Sequence, residues 1–158
     1  MKKWLIFALM VPFIALLFSF SVKADSVTDV YVHYYRYQGD YTDWNLWVWK
    51  EKPVPQDGTR YAFETDDTAT SFNYGGTVVK ISLTDDLEGT TQLGIIVHRG
   101  AWLEKDIDNN RYVDIPENHT SSELHIYLVE GDSRVGYGMD DPDGPDKSPK
   151  FRRAYFNS

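Results

Sequence analysis

The sequence predicts an all-β protein, an immunoglobulin-like β-sandwich of about seven antiparallel strands, and three observations favour this class. Short stretches alternate polar and apolar residues with the period of two that a half-buried strand requires. Gly, Asp, Asn and Pro separate these stretches at short intervals. No long stretch has the 3.6-residue period of an amphipathic helix. Such spacing is more typical of a two-sheet sandwich than of a closed barrel.

The first two predicted strands show the alternation most clearly. Residues 30–35 read VYVHYY, and residues 43–50 read DWNLWVWK. In the second stretch, Trp44, Leu46 and Val48 fall on one face of the strand, and Trp47 and Trp49 fall on the other. The remaining strands are predicted at residues 61–63, 78–83, 93–98, 112–115 and 124–129.

The N-terminal segment has the pattern of an export signal. Lys2 and Lys3 precede an apolar run over residues 4–20, and residues 22–24, VKA, place small side chains at the −3 and −1 positions of a cleavage point. We therefore expect residues 1–24 to be a signal peptide and the protein to be secreted, with no membrane contact after cleavage. The alternative is an uncleaved anchor that displays the domain on the cell surface, because the run is close to membrane-spanning length.

The C-terminal part changes in composition. The folded domain is predicted to span residues 25–132, and residues 133–148, rich in Asp, Gly and Pro, are predicted to be a solvated linker. Residues 149–158, PKFRRAYFNS, again have strand character and then stop. We therefore expect them to begin a further domain of a truncated chain.

Composition excludes several classes of function. Apart from Lys2, Lys3 and Lys23, the chain has 13 basic and 24 acidic residues, a net charge near −11 that disfavours a nucleic-acid partner. The chain contains no cysteine, so disulfides and thiolate metal sites are excluded. About 134 residues can form one domain but not the ~250 residues of a catalytic (β/α)₈ barrel. No nucleophile-elbow motif is present, and we predict no enzymatic activity.

The two tryptophans on the second face of the DWNLWVWK strand are the strongest functional signal. If Trp44, Leu46 and Val48 face the core, Trp47 and Trp49 face outward, roughly 6.6–7 Å apart along the strand. Neighbouring exposed indoles are unusual without a partner. Their flat faces suit a sugar ring, whose faces are rich in C–H groups and whose edges carry hydroxyls. The alternative is that both faces are buried and these indoles are core residues.

Several blocks in this order resemble carbohydrate-binding module family 41, the N-terminal starch-binding module of bacterial type I pullulanases. The blocks run from about Val30 to Asp132 and read VHYYRY at 32–37, DWNLWVWK at 43–50, GIIVH at 94–98, Trp102 with KD at 105–106, RY at 111–112 and VEGD at 129–132. The resemblance implies an immunoglobulin-like sandwich that binds α-glucans such as amylose, maltooligosaccharides, pullulan and glycogen, without catalysis.

The resemblance also implies the binding residues. Trp47 and Trp49 match the family's two stacking tryptophans, and Lys105 matches a lysine that hydrogen-bonds sugar hydroxyls. The acidic residue expected five positions later is Asn110 here, which keeps hydrogen bonding but loses the strength of a charged acceptor. Asp108 is an alternative partner for the sugar if the loop shifts. Trp102 either adds an apolar wall or packs on the sandwich edge.

One spacing imitates a calcium loop, at residues 106, 108, 110, 112, 114 and 117, but position 6 of that pattern is Arg111 where Gly is needed, and no helices flank it. The acidic residues of the predicted linker fit a solvated segment better than a cation site. The four histidines have no zinc-site spacing. We predict no metal and no cofactor.

The function predicted from the sequence is that of a secreted, monomeric, non-catalytic α-glucan-binding module that brings an appended pullulanase-type hydrolase to its polymer. Two alternatives remain. The chain is the N-terminal fragment of a pullulanase, an α-1,6-glucan hydrolase, or it is a surface domain that docks another protein through its aromatic residues.

Overall fold

The computed structural model describes residues 26–63, 65–66 and 75–147, and within them the chain forms nine β-strands and one short 3₁₀ turn, Asp85–Leu87. The predicted signal peptide and residues 149–158 lie outside the described residues. No helix in the described residues is long and apolar enough to cross a membrane. The strands are β1 (Asp29–Tyr35), β2 (Trp44–Lys52), β3 (Thr59–Ala62), β4 (Thr65–Asp66), β5 (Thr77–Ser82), β6 (Gln92–Arg99), β7 (Glu104–Lys105), β8 (Arg111–Asp114) and β9 (Glu123–Val129).

The strands form two sheets, which confirms the all-β sandwich predicted from the sequence. The four-stranded sheet has the order β4-β5-β1-β9. The five-stranded sheet has the order β3-β2-β6-β7, with β8 also paired to β6. Because β2 occupies one edge of β6, β7 and β8 share the other edge, β7 beside His98 and Arg99 and β8 beside residues 92–95.

The core lies between the two sheets and consists of the inward-facing side chains of the strands. Trp44, Leu46 and Val48 are buried in it, so the predicted inward face of the second strand is confirmed. The guanidinium of Arg36 lies over the Trp44 ring, 3.8 Å from its centre, in the geometry of a cation–π contact. The other strands contribute mainly Val30, Val32, Tyr34, Ile81, Leu93, Ile95, Val97, Leu124, Ile126 and Leu128.

Two features of the sheets differ from the expected pattern of antiparallel strands. β1 and β9, the first and last strands, pair in parallel over their whole lengths. β4 and β7 are only two residues long. Neither feature has a local signature, because parallel pairing joins distant segments and a two-residue strand is too short to show alternation.

The described part of the predicted linker contacts the sandwich. Gly136 exchanges two backbone hydrogen bonds with Tyr127, of 2.9 and 3.0 Å. The Tyr137 hydroxyl accepts a hydrogen bond from the backbone N–H of Asp114. The carboxylate of Asp141 accepts N–H groups of Tyr137 and Asp143, which lowers its pKa. The turn at residues 136–143 is therefore hydrogen-bonded to β9 through Gly136 and to β8 through Tyr137.

Candidate functional site

The outward side of the five-stranded sheet carries four aromatic side chains, Trp47, Trp49, Trp102 and Tyr112, which we call the aromatic face. Trp47 and Trp49 are partly exposed. Trp102 and Tyr112 are 48% and 47% exposed, among the most exposed large apolar residues of the described chain. The two indoles of β2 are therefore not sealed in the core.

The strand register explains why these side chains share one side. Trp49 pairs with Gly94 of β6, and Gly94 pairs on its other side with Tyr112 of β8. Paired residues point to the same side of a sheet. Because only β6 lies between β2 and β8, the main chains of Trp49 and Tyr112 are roughly 10 Å apart. A long side chain over the glycine between them can bridge that distance.

Trp49 lies flat on Gly94. A Cβ atom added at Gly94 would overlap with Cε2 and Cζ2 of the Trp49 ring, and its next neighbour would be Cδ2. The Cβ of a strand residue points away from the sheet. Because a Cβ at Gly94 would meet the flat side of the fused ring, the indole lies over Gly94 roughly parallel to the sheet surface. The indole N–H donates a 2.7 Å hydrogen bond to Glu51, which fixes the ring's rotation. Part of the Trp49 side chain remains exposed to solvent.

Trp47 is held between a glycine and another indole. A Cβ at Gly58, just before β3, would overlap with the Nε1 atom of Trp47. On another side, Trp102 meets Trp47 with ring centres 5.6 Å apart and planes at 63°. The two rings therefore form an angled pair rather than a continuous flat surface.

Trp102 rests on His98, which sequence reasoning did not single out as a site residue. The two rings are stacked, with centres 4.2 Å apart and an angle of 12° between planes. Trp102 has a φ of +65°, which is unfavourable for a residue with a side chain and is typical of functional loops. Burial, assisted by the nearby cation of Arg60, lowers the pKa of His98 and outweighs an interaction with the main chain of Gly100. A neutral imidazole therefore supports the indole at neutral pH.

The predicted polar residues lie at one border of the aromatic face. Lys105 pairs with His98 and is exposed, and its ammonium group donates a 2.6 Å hydrogen bond to the carbonyl of Asp108. Asn110 is exposed and directly precedes Arg111, the inward-facing first residue of β8. Because side chains alternate along a strand, the side chain of Asn110 falls on the outward side. The five predicted site residues therefore lie on the outward side of this sheet or at its border.

A buried polar network fixes the loop between β7 and β8, which Lys105 precedes and Asn110 ends. The side chains of Asp106 and Arg111 are fully buried and form a 2.5 Å ion pair. Asp106 also accepts hydrogen bonds from the Tyr34 hydroxyl and the N–H of Gly131. Arg111 donates to the carbonyl of Asp132. Burial, with Asp106 nearby, raises the pKa of Tyr34 well above its usual range and keeps its hydroxyl a donor.

The calcium-like spacing therefore has another basis. Asp106, the first residue of that spacing, forms a buried ion pair with Arg111. Tyr112 and Asp114, two later residues of it, belong to a paired strand rather than a loop. Within the ranges that the structure describes, no group of three or more His, Asp or Glu side chains is placed to hold a metal ion.

The outward side of the four-stranded sheet also carries aromatic rings, but they are packed differently. Tyr31, His125, His33 and Tyr127 form a stacked column with ring centres 4.6–5.3 Å apart. Its members His33 and Tyr127 are only 1% and 4% exposed. The aromatic face of the other sheet is therefore the better candidate for a ligand.

Comparison with protein families agrees with the predicted resemblance. Residues 28–137 match the family model described as "Bacterial pullanase-associated domain". This match covers most of the chain. It extends 25 residues beyond position 112 and therefore includes the motif VEGD at residues 129–132.

Solved structures share the fold at low sequence identity. A product complex of the multi-modular glycogen-degrading pneumococcal virulence factor SpuA superposes with a TM-score of 0.54 at 19% identity, over 75% of this chain and 11% of that chain. A streptococcal virulence factor, from a study of α-glucan binding, gives 0.52 at 21% identity, over 75% and 50%. Family 41 carbohydrate-binding modules from streptococcal virulence factors, studied for α-glucan recognition, give 0.52 at 16% identity, over 72% and 48%. This chain thus spans half or less of each of these proteins.

Proposed function

The chain belongs to the bacterial pullanase-associated domain family, and from this premise we propose that it is a non-catalytic module that binds α-glucan through its aromatic face. The observation that carries the proposal is the placement of Trp49, which lies flat on Gly94 and is still partly exposed to solvent. A preformed flat surface of this kind lets a glucose ring stack without ordering the protein first. The structural relatives studied for α-glucan recognition support the same ligand class.

In this proposal each predicted site residue has a distinct role. Trp47 and Trp49 stack on consecutive glucose units, and Trp102 closes one side of the Trp47 position. Lys105 and Asn110 hydrogen-bond hydroxyls at the sugar edge. Starch, amylose, maltooligosaccharides, pullulan and glycogen all present α-linked glucose units to such a surface.

We further propose that the module is exported and that it serves an appended pullulanase-type hydrolase. The export pattern of residues 1–24 and the match to a family named for its association with pullulanase support this. Its contribution would be proximity, because a bound polymer stays at high local concentration near a catalytic domain.

Calorimetric titration tests the ligand class. We expect maltotetraose to bind with measurable heat and cellotetraose, its β-linked isomer, to give none at the same concentrations. Equal binding of the two sugars would refute recognition of the α-linkage, and no binding of either would favour a protein-docking role for the aromatic face.

Asn110→Asp should strengthen maltotetraose binding by about three- to fivefold, equal to about 0.7–1 kcal/mol, because a carboxylate accepts a stronger hydrogen bond than an amide. Asn109→Asp is the matched control, since it adds the same charge at the neighbouring exposed position. If both variants change affinity equally, the effect is general electrostatics and Asn110 is not a contact residue.

Gly94→Ala should weaken maltotetraose binding by about three- to tenfold, equal to about 0.7–1.4 kcal/mol. The added methyl group overlaps with the Trp49 ring and must displace it from its flat position. Gly138→Ala is the control, because a Cβ at Gly138 meets no atom within 4 Å. Unchanged affinity in Gly94→Ala would show that the tilt of Trp49 does not matter for binding.

A further inference from the structure

Tyr112 is an exposed aromatic residue of the aromatic face that was not predicted to bind the ligand. It is 47% exposed, although it lies on a paired strand and not in a loop. Its ring meets Trp49 with centres 6.3 Å apart and planes at 80°. Tyr112 is therefore perpendicular to the indole that the proposed function places under a glucose ring.

The glycine between them determines this arrangement. Gly94 lies between Trp49 and Tyr112 in the same row of the sheet. Because Gly94 has no side chain, the indole extends over β6 toward β8 and reaches the tyrosine. Since the indole is roughly parallel to the sheet, a ring at 80° to it stands upright. Trp49 and Tyr112 thus form the floor and the wall of one corner.

A corner fits a pyranose better than a flat surface does. One glucose ring can stack its C–H face on the indole while the C6 methylene group at its edge contacts the tyrosine ring, which buries more area than stacking alone. The tyrosine also keeps a hydroxyl for the sugar or for water.

Polar groups lie beside this corner as well. Gln92 and Asp114 are the next outward pair of β6 and β8, and the Gln92 amide donates a 2.7 Å hydrogen bond to the Asp114 carboxylate. Asp114 is exposed. A carboxylate has several acceptor positions, so it can also accept a sugar hydroxyl while it holds Gln92.

We propose that Tyr112 contacts the glucose unit stacked on Trp49 and that the Gln92–Asp114 pair hydrogen-bonds the hydroxyls of that unit. This inference rests on the proposed function, because it specifies a subsite of the same site. It adds a wall on the β8 side of the Trp49 position, opposite β3, just as Trp102 flanks the Trp47 position.

The test is calorimetric titration of Tyr112→Ala and Tyr112→Phe with maltotetraose. We expect Tyr112→Ala to lose about fivefold in affinity and Tyr112→Phe to stay within about twofold of the unsubstituted protein, because the ring supplies most of the contact area. Met139→Ala is the control, since it also removes an exposed apolar side chain, 49% exposed, from the turn after residue 136.

A second measurement separates contact with the sugar from an effect on Trp49. The rate at which the Trp49 indole N–H exchanges with solvent in the ligand-free protein reports its hydrogen bond to Glu51. We expect this exchange rate to be nearly unchanged in Tyr112→Ala. A large increase would overturn the contact role, because the loss of affinity would then come from a displaced indole.

The outcomes also separate this inference from the proposed function. If the unsubstituted protein and Tyr112→Ala bind maltotetraose equally well, Tyr112 is not a contact residue, and the proposed function stands. If the unsubstituted protein does not bind the sugar, both are overturned.

Discussion

Trp47→Ala and Trp49→Ala should each weaken α-glucan binding by about ten- to hundredfold, equal to about 1.4–2.8 kcal/mol, and leave the sandwich folded. Stacking of a ring on an aromatic side chain contributes on the order of 1–3 kcal/mol by analogy with base stacking. Both side chains point outward from β2, so their removal leaves no cavity in the core. Retention in a native gel that contains amylose measures the effect, and thermal unfolding checks the fold.

Trp44→Phe is the matched control for this prediction. Trp44 lies on the same strand but faces the core, 4% exposed. Its replacement should lower stability and leave retention by amylose unchanged. If Trp47→Ala and Trp49→Ala migrate like the unsubstituted protein in the amylose gel, these indoles do not form the binding surface.

Arg111→Met should lower the free energy of unfolding by about 3–5 kcal/mol, because it leaves the buried carboxylate of Asp106 without its cation. The carbonyl of Asp132 loses its donor in the same variant. Urea denaturation measures the loss, provided that the slope of the transition is unchanged. Asp106 directly follows Lys105, and Arg111 directly follows Asn110, so weaker sugar binding should accompany the loss of stability.

Arg99→Met provides the comparison for Arg111→Met. Arg99 also pairs with a carboxylate, that of Glu104 at 3.5 Å, but both side chains are about half exposed. Exposed pairs contribute at most about 1 kcal/mol, so this variant should be close to the unsubstituted protein. Equal losses in the two variants would contradict a special structural role for the buried pair.

The inward and outward faces of β2 could be predicted because a strand has a strict period of two. Once Trp44, Leu46 and Val48 are assigned to the core, Trp47 and Trp49 must face outward. The same argument places the inward residues of β1, β6 and β9. The class of fold and the central pair of the candidate site therefore follow from local patterns in the chain.

The rest of the site depends on contacts that local patterns do not encode. Tyr112 belongs to the aromatic face because β8 pairs with β6 in a register that places it beside Gly94. His98 supports Trp102 only because the chain turns back between β6 and β7. Register between distant strands is determined by packing of the whole sheet, so neither residue could be assigned in advance.

The role of Asp106 shows how spacing can mislead. Its place in an acidic repeat suggests a solvent-exposed ligand for a cation, whereas its carboxylate is buried against Arg111, Tyr34 and Gly131. Two of these partners come from other strands or loops. A pattern within one loop cannot reveal partners that long-range folding supplies.

The most direct test of the account follows the indole N–H resonances of the protein in a two-dimensional NMR spectrum during titration with maltotetraose. Substitution of each Trp by Phe assigns the resonances. If the aromatic face binds the sugar, the Trp47 and Trp49 resonances shift in a saturable way while the resonance of buried Trp44 stays in place. Saturable binding that leaves both Trp47 and Trp49 unshifted, or that shifts Trp44 as much as them, would contradict it.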